Sequence, residues 1–249
     1  MSLIKKSIFI SGGNSGIGLA TAKKYKAEGY RVGICGRNTT TLDPLKDEFQ
    51  VYQLDVANFD EVKKAVNDFA KDGLDIMFAN AGVGYAHKSQ KPDFNQSRKI
   101  FDININGVLN MFDVATQIFY TQGHGHLAAT ASIAGLNGLP GVSAYSGSKA
   151  AIIRMCESLK IDLKQFNINV TCVCPGFIDT PLTQKNSHSM PFLMNVDEAA
   201  VEIYYGIARN KDNIYFPKMF SSIVRLLGLL PRSIYRMIIS SKKFNYSKK

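Results

Sequence analysis

Short runs of consecutive apolar residues alternate along this chain with longer stretches in which apolar residues recur every three or four positions. The first pattern suits strands buried on both faces, and the second suits helices packed through one face. Strands are expected at 7–11, 31–35, 51–54, 75–79, 127–131, 168–174 and 213–216, and helices at 16–28, 58–71, 95–121, 143–166 and 197–209. Within 58–71 the stripe is explicit, because Phe59, Val62, Val66 and Phe69 share one helical face. Gly29 is placed to stop the first helix, and Asp197 and Glu198 suit the positive end of the last. Strands alternating with helices of this length predict an α/β fold with a parallel sheet and right-handed crossovers. In such sheets ligands sit beyond the carboxyl ends of the strands, so chemistry is expected directly after each strand.

Composition adds little until charge is mapped along the chain. The 249 residues fit one domain, and 45% hydrophobic against 20% charged residues supports a core rather than disorder. Residues 209–249 hold ten Lys/Arg and one acid (Asp212), a net +9, whereas residues 1–208 contribute only +1. The basicity belongs to the tail. The apolar stretch following Met1–Lys6 is too short for a signal core or a membrane span, so a cytoplasmic protein is expected. Cys35, Cys156, Cys172 and Cys174 form no CxxC pair; Cys172 and Cys174 would share one strand face, and reduced core thiols are expected, with no metal.

The first strand runs into Ser11-Gly12-Gly13-Asn14-Ser15-Gly16-Ile17-Gly18, a GxxxGxG turn opening a helix. Glycine here lets backbone approach a pyrophosphate, and the helix aims free N–H groups at the anion, although glycine-rich turns also arise for structural reasons alone. Tyr145 and Lys149 are four apart and share a helix face, a spacing common on ordinary surface helices too. A nearby ammonium would draw a phenol, which titrates near ~10, toward the working range. Ser132 follows the fifth strand and could donate to a substrate carbonyl. Asn104, a polar residue among apolar neighbours, could anchor a water leading to Lys149, whereas Asn106 is not assigned a role.

Taken together these motifs resemble the short-chain dehydrogenase/reductase family over roughly residues 5–210: Gly12-x-x-x-Gly16-x-Gly18, Asp55-Val56, Asn80-Ala81-Gly82, Pro175-Gly176 and Thr180 occur in order. The resemblance implies a Rossmann-type doubly wound parallel sheet of about seven strands, helices on both faces, and a C-terminal helical extension. It implies a dinucleotide site drawn from Gly12, Asn14, Ser15, Gly16, Ile17, Gly18, Arg37, Asp55, Val56, Asn80, Ala81, Gly82, Tyr145, Lys149, Pro175, Gly176, Ile178 and Thr180. In that family Asp55 resembles the residue at the adenine, and Pro175–Thr180 the stretch at the nicotinamide carboxamide. Asn104, Ser132, Tyr145 and Lys149 are similar to the catalytic tetrad. Reduction would then deliver hydride from nicotinamide to a carbonyl carbon while Tyr145 protonates the oxygen, Ser132 orients it and Lys149 holds cofactor ribose. An arginine rather than an acid follows the second strand, in Cys35-Gly36-Arg37-Asn38, which favours NADP(H) over NAD(H), with a solvated loop charge as the alternative.

The substrate expected is an apolar ketone or aldehyde, or the matching alcohol, from Met190, Phe192, Leu193 and Met194 after Thr180. The rival is a cofactor-binding regulatory or scaffold protein that kept the fold without its chemistry. His124 and His126 are expected in the loop before the fifth strand with surface or capping roles, and His87 and His188 exposed in loops. Residues 1–216 form the dinucleotide-binding and catalytic domain, and 217–249 a basic extension of it. In 218–241 apolar residues interleave with Arg225, Arg232 and Arg236, and Pro231 divides the stretch into two amphipathic helices. Covering the substrate cleft or completing a homodimer or homotetramer is the favoured role, ahead of peripheral contact with an anionic membrane; nucleic-acid binding is not expected.

Overall fold

A computed structural model describes residues 5–84, 92–184 and 190–240, with the backbone alone of Lys185. His87 and His188 lie outside the described residues. Seven strands, β1 (Ser7–Ser11), β2 (Arg31–Gly36), β3 (Gln50–Gln53), β4 (Ile76–Ala79), β5 (Gly125–Thr130), β6 (Ile168–Pro175) and β7 (Asn213–Phe216), pair in the order 3-2-1-4-5-6-7, all parallel. The order reverses between β1 and β4, which opens a crevice at their carboxyl ends.

Alternation along β1 divides the core in two. Phe9 faces a cluster with Leu127 of β5 and with Val62, Val66, Phe69, Met111, Phe119 and Ile152, carried by α3 (Phe59–Phe69), α5 (Gly107–Gln122) and α6 (Ser143–Leu163). Ile8 and Ile10 face Ile34 of β2 and Ala22, Tyr25, Ile203 and Ile207, carried by α1 (Gly16–Ala27) and α7 (Val196–Ala208). Each such side chain taken from water contributes about 1.5–3 kcal/mol. The helix signals are satisfied locally. Asn58 caps α3 by accepting from the Glu61 amide, and its own amide group donates to the Glu61 carboxylate at 2.9 Å. A one-turn helix, α2 (Thr39–Leu42), is capped by Asn38 in the same manner.

The structure departs from the sequence pattern in two places. The single helix expected over 95–121 is divided into α4 (Phe94–Phe101) and α5 by a π-helical turn over Asp102–Asn106. Apolar periodicity hardly registers one extra residue in a turn, although that residue rotates Asn104 into a fully buried position. The other departure is at β5, which begins at Gly125, directly after Gly123 has closed α5 in a left-handed cap. His126 is therefore a strand residue and not a loop histidine: it is buried, its Nε2 lies 2.8 Å from Thr171 Oγ1, and burial pushes it down to about 4. The ring is neutral at physiological pH. His124 is exposed in the loop.

Cys172 and Cys174 share a face of β6 with sulfurs 3.6 Å apart, and all four cysteines are free and buried. Among the described residues no group of His, Cys, Asp or Glu is arranged to hold a metal, and no helix is long and apolar enough to cross a membrane.

Candidate active site

The crevice at the switch point is a cavity of about 360 Å³. Every residue assigned to the dinucleotide set reaches its wall except Gly18. The loop after β1 forms one end. Gly12 and Gly16 adopt left-handed backbone (φ +62° and +52°), and a Cβ on Gly12 would lie 2.9 Å from the Ala81 Cα. Ser15 precedes α1 without a side-chain cap, and the first turn carries no acid, so its leading N–H groups stay available to an anion.

Gly18 serves packing. A Cβ there would fall 2.1 Å from the Gly12 carbonyl oxygen and 2.6 Å from Asn80 Nδ2. Gly18→Ala is expected to lower stability by about 1–3 kcal/mol through this overpacking, measured by urea unfolding. Gly138→Ala, where an added Cβ meets nothing within 4 Å, is the neutral control.

Asn80 holds the sheet ends together. Its backbone N–H donates to Ser11 Oγ (3.0 Å), its side-chain amide to the Ser11 and Gly12 carbonyls (3.1 and 3.3 Å), and its oxygen accepts from Thr130 Oγ1 (3.0 Å). Three strands, β1, β4 and β5, are thus locked beneath the cavity. At the far end, Arg37 Nη1 lies 3.6 Å from Asp55 Oδ2, an ion pair in which both side chains are more than a third exposed.

On the opposite wall α6 carries Tyr145 and Lys149, with Lys149 Nζ 5.8 Å from the tyrosine ring centre. Lys149 is buried and donates to the Thr130 carbonyl at 2.7 Å, and desolvation lowers its pKa to about 8. Burial also raises the Tyr145 phenol, and a hydrogen bond with Ser132 works in the opposite direction. Ser132 Oγ accepts from the Ala134 amide (3.1 Å) and lies 3.3 Å from the Pro175 carbonyl.

Asn104 does not line the cavity. Its side chain accepts from the Val83 N–H (2.8 Å) and donates to the Val83 carbonyl and to Ser148 Oγ, both at 3.0 Å. Ser148 in turn donates to the Tyr145 carbonyl at 2.8 Å. Asn104 Oδ1 and Lys149 Nζ stand 3.3 and 3.4 Å from the point a Cβ on Gly82 would occupy. Glycine at 82 therefore lets both groups close on the same gap. Nothing in the sequence marks Thr130 and Ser148 as partners of Lys149, Asn80, Asn104 and Tyr145. Thr130 is two residues before Ser132, and Ser148 is one before Lys149, yet neither hydroxyl has a spacing that marks it.

A fold with this crevice, a glycine-rich turn into α1 and a Tyr–Lys pair on α6 defines a class of dinucleotide-dependent enzymes. Residues 6–191 match the family model for short chain dehydrogenase, and the chain belongs to that family of oxidoreductases. A Myxococcus xanthus protein described as an uncharacterized oxidoreductase is 32% identical over 239 residues, covering 92% of this chain and 94% of that protein. A Mycobacterium tuberculosis protein described in the same words is 29% identical over 93% of this chain and 96% of its own. Among solved structures, a short chain dehydrogenase from Burkholderia cenocepacia in complex with NADP superposes with TM-score 0.84 over 96% of this chain and 99% of its own, at 24% identity. One from Burkholderia phymatum in complex with NAD gives 0.79 over 89% and 92%, at 23% identity. At these identities the two structures speak for the fold.

Proposed function

We propose that this chain is an NADP(H)-dependent oxidoreductase acting on an apolar ketone or aldehyde and the corresponding alcohol. The observation that carries the reading is the grouping of the Tyr145 phenol, the Ser132 hydroxyl and the Lys149 ammonium on one side of a cavity whose other end is an uncapped helix N-terminus. The residues fit a dinucleotide: the Gly12 and Gly16 cradle admits backbone-close phosphates, and Arg37 and Asp55 at the cavity rim would hold its adenosine. The NADP- and NAD-bound structures of similar fold support a nicotinamide nucleotide as the ligand. Such a cofactor supplies hydride when bound, and the remaining work belongs to the chain.

For reduction, Tyr145 donates its proton to the substrate oxygen. Desolvation keeps the phenol protonated, which is the form a general acid needs. Ser132 donates to the same oxygen as negative charge gathers there. Lys149 holds positive charge beside the phenol and supplies donors for ribose hydroxyls. Asn104 is a positioning residue: it ties Val83 to Ser148, which holds the Tyr145 backbone, and its Oδ1 borders the Lys149 gap where a proton-relaying water would sit. Phe192 and Leu193 are exposed, and Leu182 at the cavity wall gives that end an apolar character.

The test is a screen of NADPH oxidation against ketones, aldehydes and quinones, with the reverse reaction followed on alcohols. No turnover on any class, with NADPH binding intact, would favour a silent cofactor-binding protein. A pH dependence also follows. Lys149 is protonated below about 8 and neutral above it. In the free enzyme, kcat/KM for reduction should therefore be level near neutrality and fall about tenfold per pH unit above that value. A rise through the same range would remove the ammonium from the scheme.

A further inference from the structure

The C-terminal helices α8 (Lys218–Gly228) and α9 (Arg232–Ile239) turn one face inward and leave another without a partner. Inward, the Val224 carbonyl accepts from Asn137 Nδ2 (3.3 Å), Arg232 Nη1 donates to Asn137 Oδ1 (3.2 Å), and the Tyr235 hydroxyl donates to the Gly138 carbonyl (2.7 Å). Phe220 stacks between Phe177 and Phe192, with ring centres 5.6 and 5.7 Å away. A Cβ on Gly176, a cavity residue, would lie 3.1 Å from Phe220, so α8 borders the cavity.

Outward, Met219, Ile223 and Leu226 recur at i, i+4 and i+7 on the side of α8 away from buried Ser221, and all are exposed. Leu229 (81% exposed) extends the stripe, and Ile234 and Met237 (71% exposed) project from α9 opposite buried Tyr235 and Ile239. A helix facing only water would carry polar residues there. From Pro217 onward the chain has eight Lys/Arg and no Asp or Glu. Among the described residues, Lys218, Arg225, Arg232 and Arg236 form no ion pair, although Arg232 is bonded inward to Asn137 and Arg225 lies over the Tyr215 ring at 5.0 Å, so their charge is not neutralised by an acid. Arg232 and Arg236 also line a hollow of about 520 Å³ whose wall contains Ser146, a buried hydroxyl with no hydrogen-bond partner.

We propose that the outer faces of α8 and α9 dock on an anionic lipid bilayer, the apolar stripe entering the interface and the bases meeting headgroup phosphates. The partner must be apolar and negative at once. A second copy of this chain seated on the same face would set bases against bases with no acid between them, a repulsive arrangement. Nucleic acid would satisfy the bases and leave the apolar stripe unmatched. A bilayer containing anionic lipid satisfies both. The docking does not depend on the reaction assigned to the cavity.

Co-sedimentation of the full chain with phosphatidylcholine vesicles, with and without about one third phosphatidylserine, tests this. At low salt, partitioning should be at least about tenfold stronger on the anionic vesicles and should weaken as salt is raised. The Met219→Ser/Ile223→Ser/Leu226→Ser variant should lose about tenfold in partitioning while keeping the parent's circular dichroism and unfolding midpoint. Arg225→Gln/Arg236→Gln should weaken binding to the anionic vesicles and keep the same fold. Absence of binding to anionic vesicles, or binding that both variants leave unchanged, overturns the proposal. So does light scattering that shows a dimer dissociated by the triple variant in a protein that ignores vesicles.

Discussion

Tyr145→Phe should reduce turnover about a thousandfold, within the 10²–10⁴ range that a positioned general acid contributes, while leaving NADPH binding within about a factor of three. The change is confined to the hydroxyl. The ring stays packed where it is, against Gly84, at which an added Cβ would meet the Tyr145 ring at 3.2 Å. The backbone stays held by Ser148, which bonds the Tyr145 carbonyl rather than its side chain. Lys149 keeps its bond to the Thr130 carbonyl, so the loss should not spread to the opposite wall. What disappears is the one proton that burial retains on the phenol beside Ser132. Single-turnover kinetics with saturating NADPH and the best carbonyl from the screen, together with a fluorescence titration of NADPH, separate chemistry from binding. A variant with turnover near the parent's would exclude Tyr145 as the acid. Equal losses in binding and turnover would make it a structural residue.

The strands and helices were legible because each signal was local. β1 has its apolar run, α3 has an asparagine cap with a stripe of Val62, Val66 and Phe69, and α8 and α9 are separated by Pro231. Motif order also carried the candidate site, since strands that end at one sheet edge deliver Gly12, Asn80, Ser132 and Gly176 to the same crevice. Features that depend on rotation or on distant partners were not legible. The π-helical turn shifts Asn104 by a fraction of a turn, which periodicity over a long helix averages away. His126 reads as part of a Gly-His-Gly-His loop until β6 supplies Thr171 as its partner. The Arg37–Asp55 pair joins residues following two different strands, and the inward bonds of α8 and α9 end on Asn137 and Gly138, nearly ninety residues or more earlier in the chain.

Arg37→Ala should lower kcat/KM with NADPH by about 10- to 100-fold and change it little with NADH, the loss expected for one charge-assisted contact to a phosphate. The ion pair with Asp55 bears on this in both directions. At 3.6 Å, with both partners well exposed, it is a weak interaction, and it occupies one edge of a guanidinium that has five donors. A 2′-phosphate could therefore engage Arg37 without the pair being broken. Asp55 is itself held, its Oδ1 accepting from the Ala57 N–H at 3.0 Å, so the carboxylate beside Arg37 has a defined position at the rim. The same carboxylate would repel a phosphate that approached from its own side and could instead accept from a ribose 2′-hydroxyl, the arrangement that favours NAD. The two outcomes separate cleanly in a two-cofactor measurement. A loss confined to NADPH assigns Arg37 to the 2′-phosphate, whereas a parent enzyme faster with NADH and equally impaired with both cofactors assigns the ribose to Asp55 and leaves Arg37 as its support.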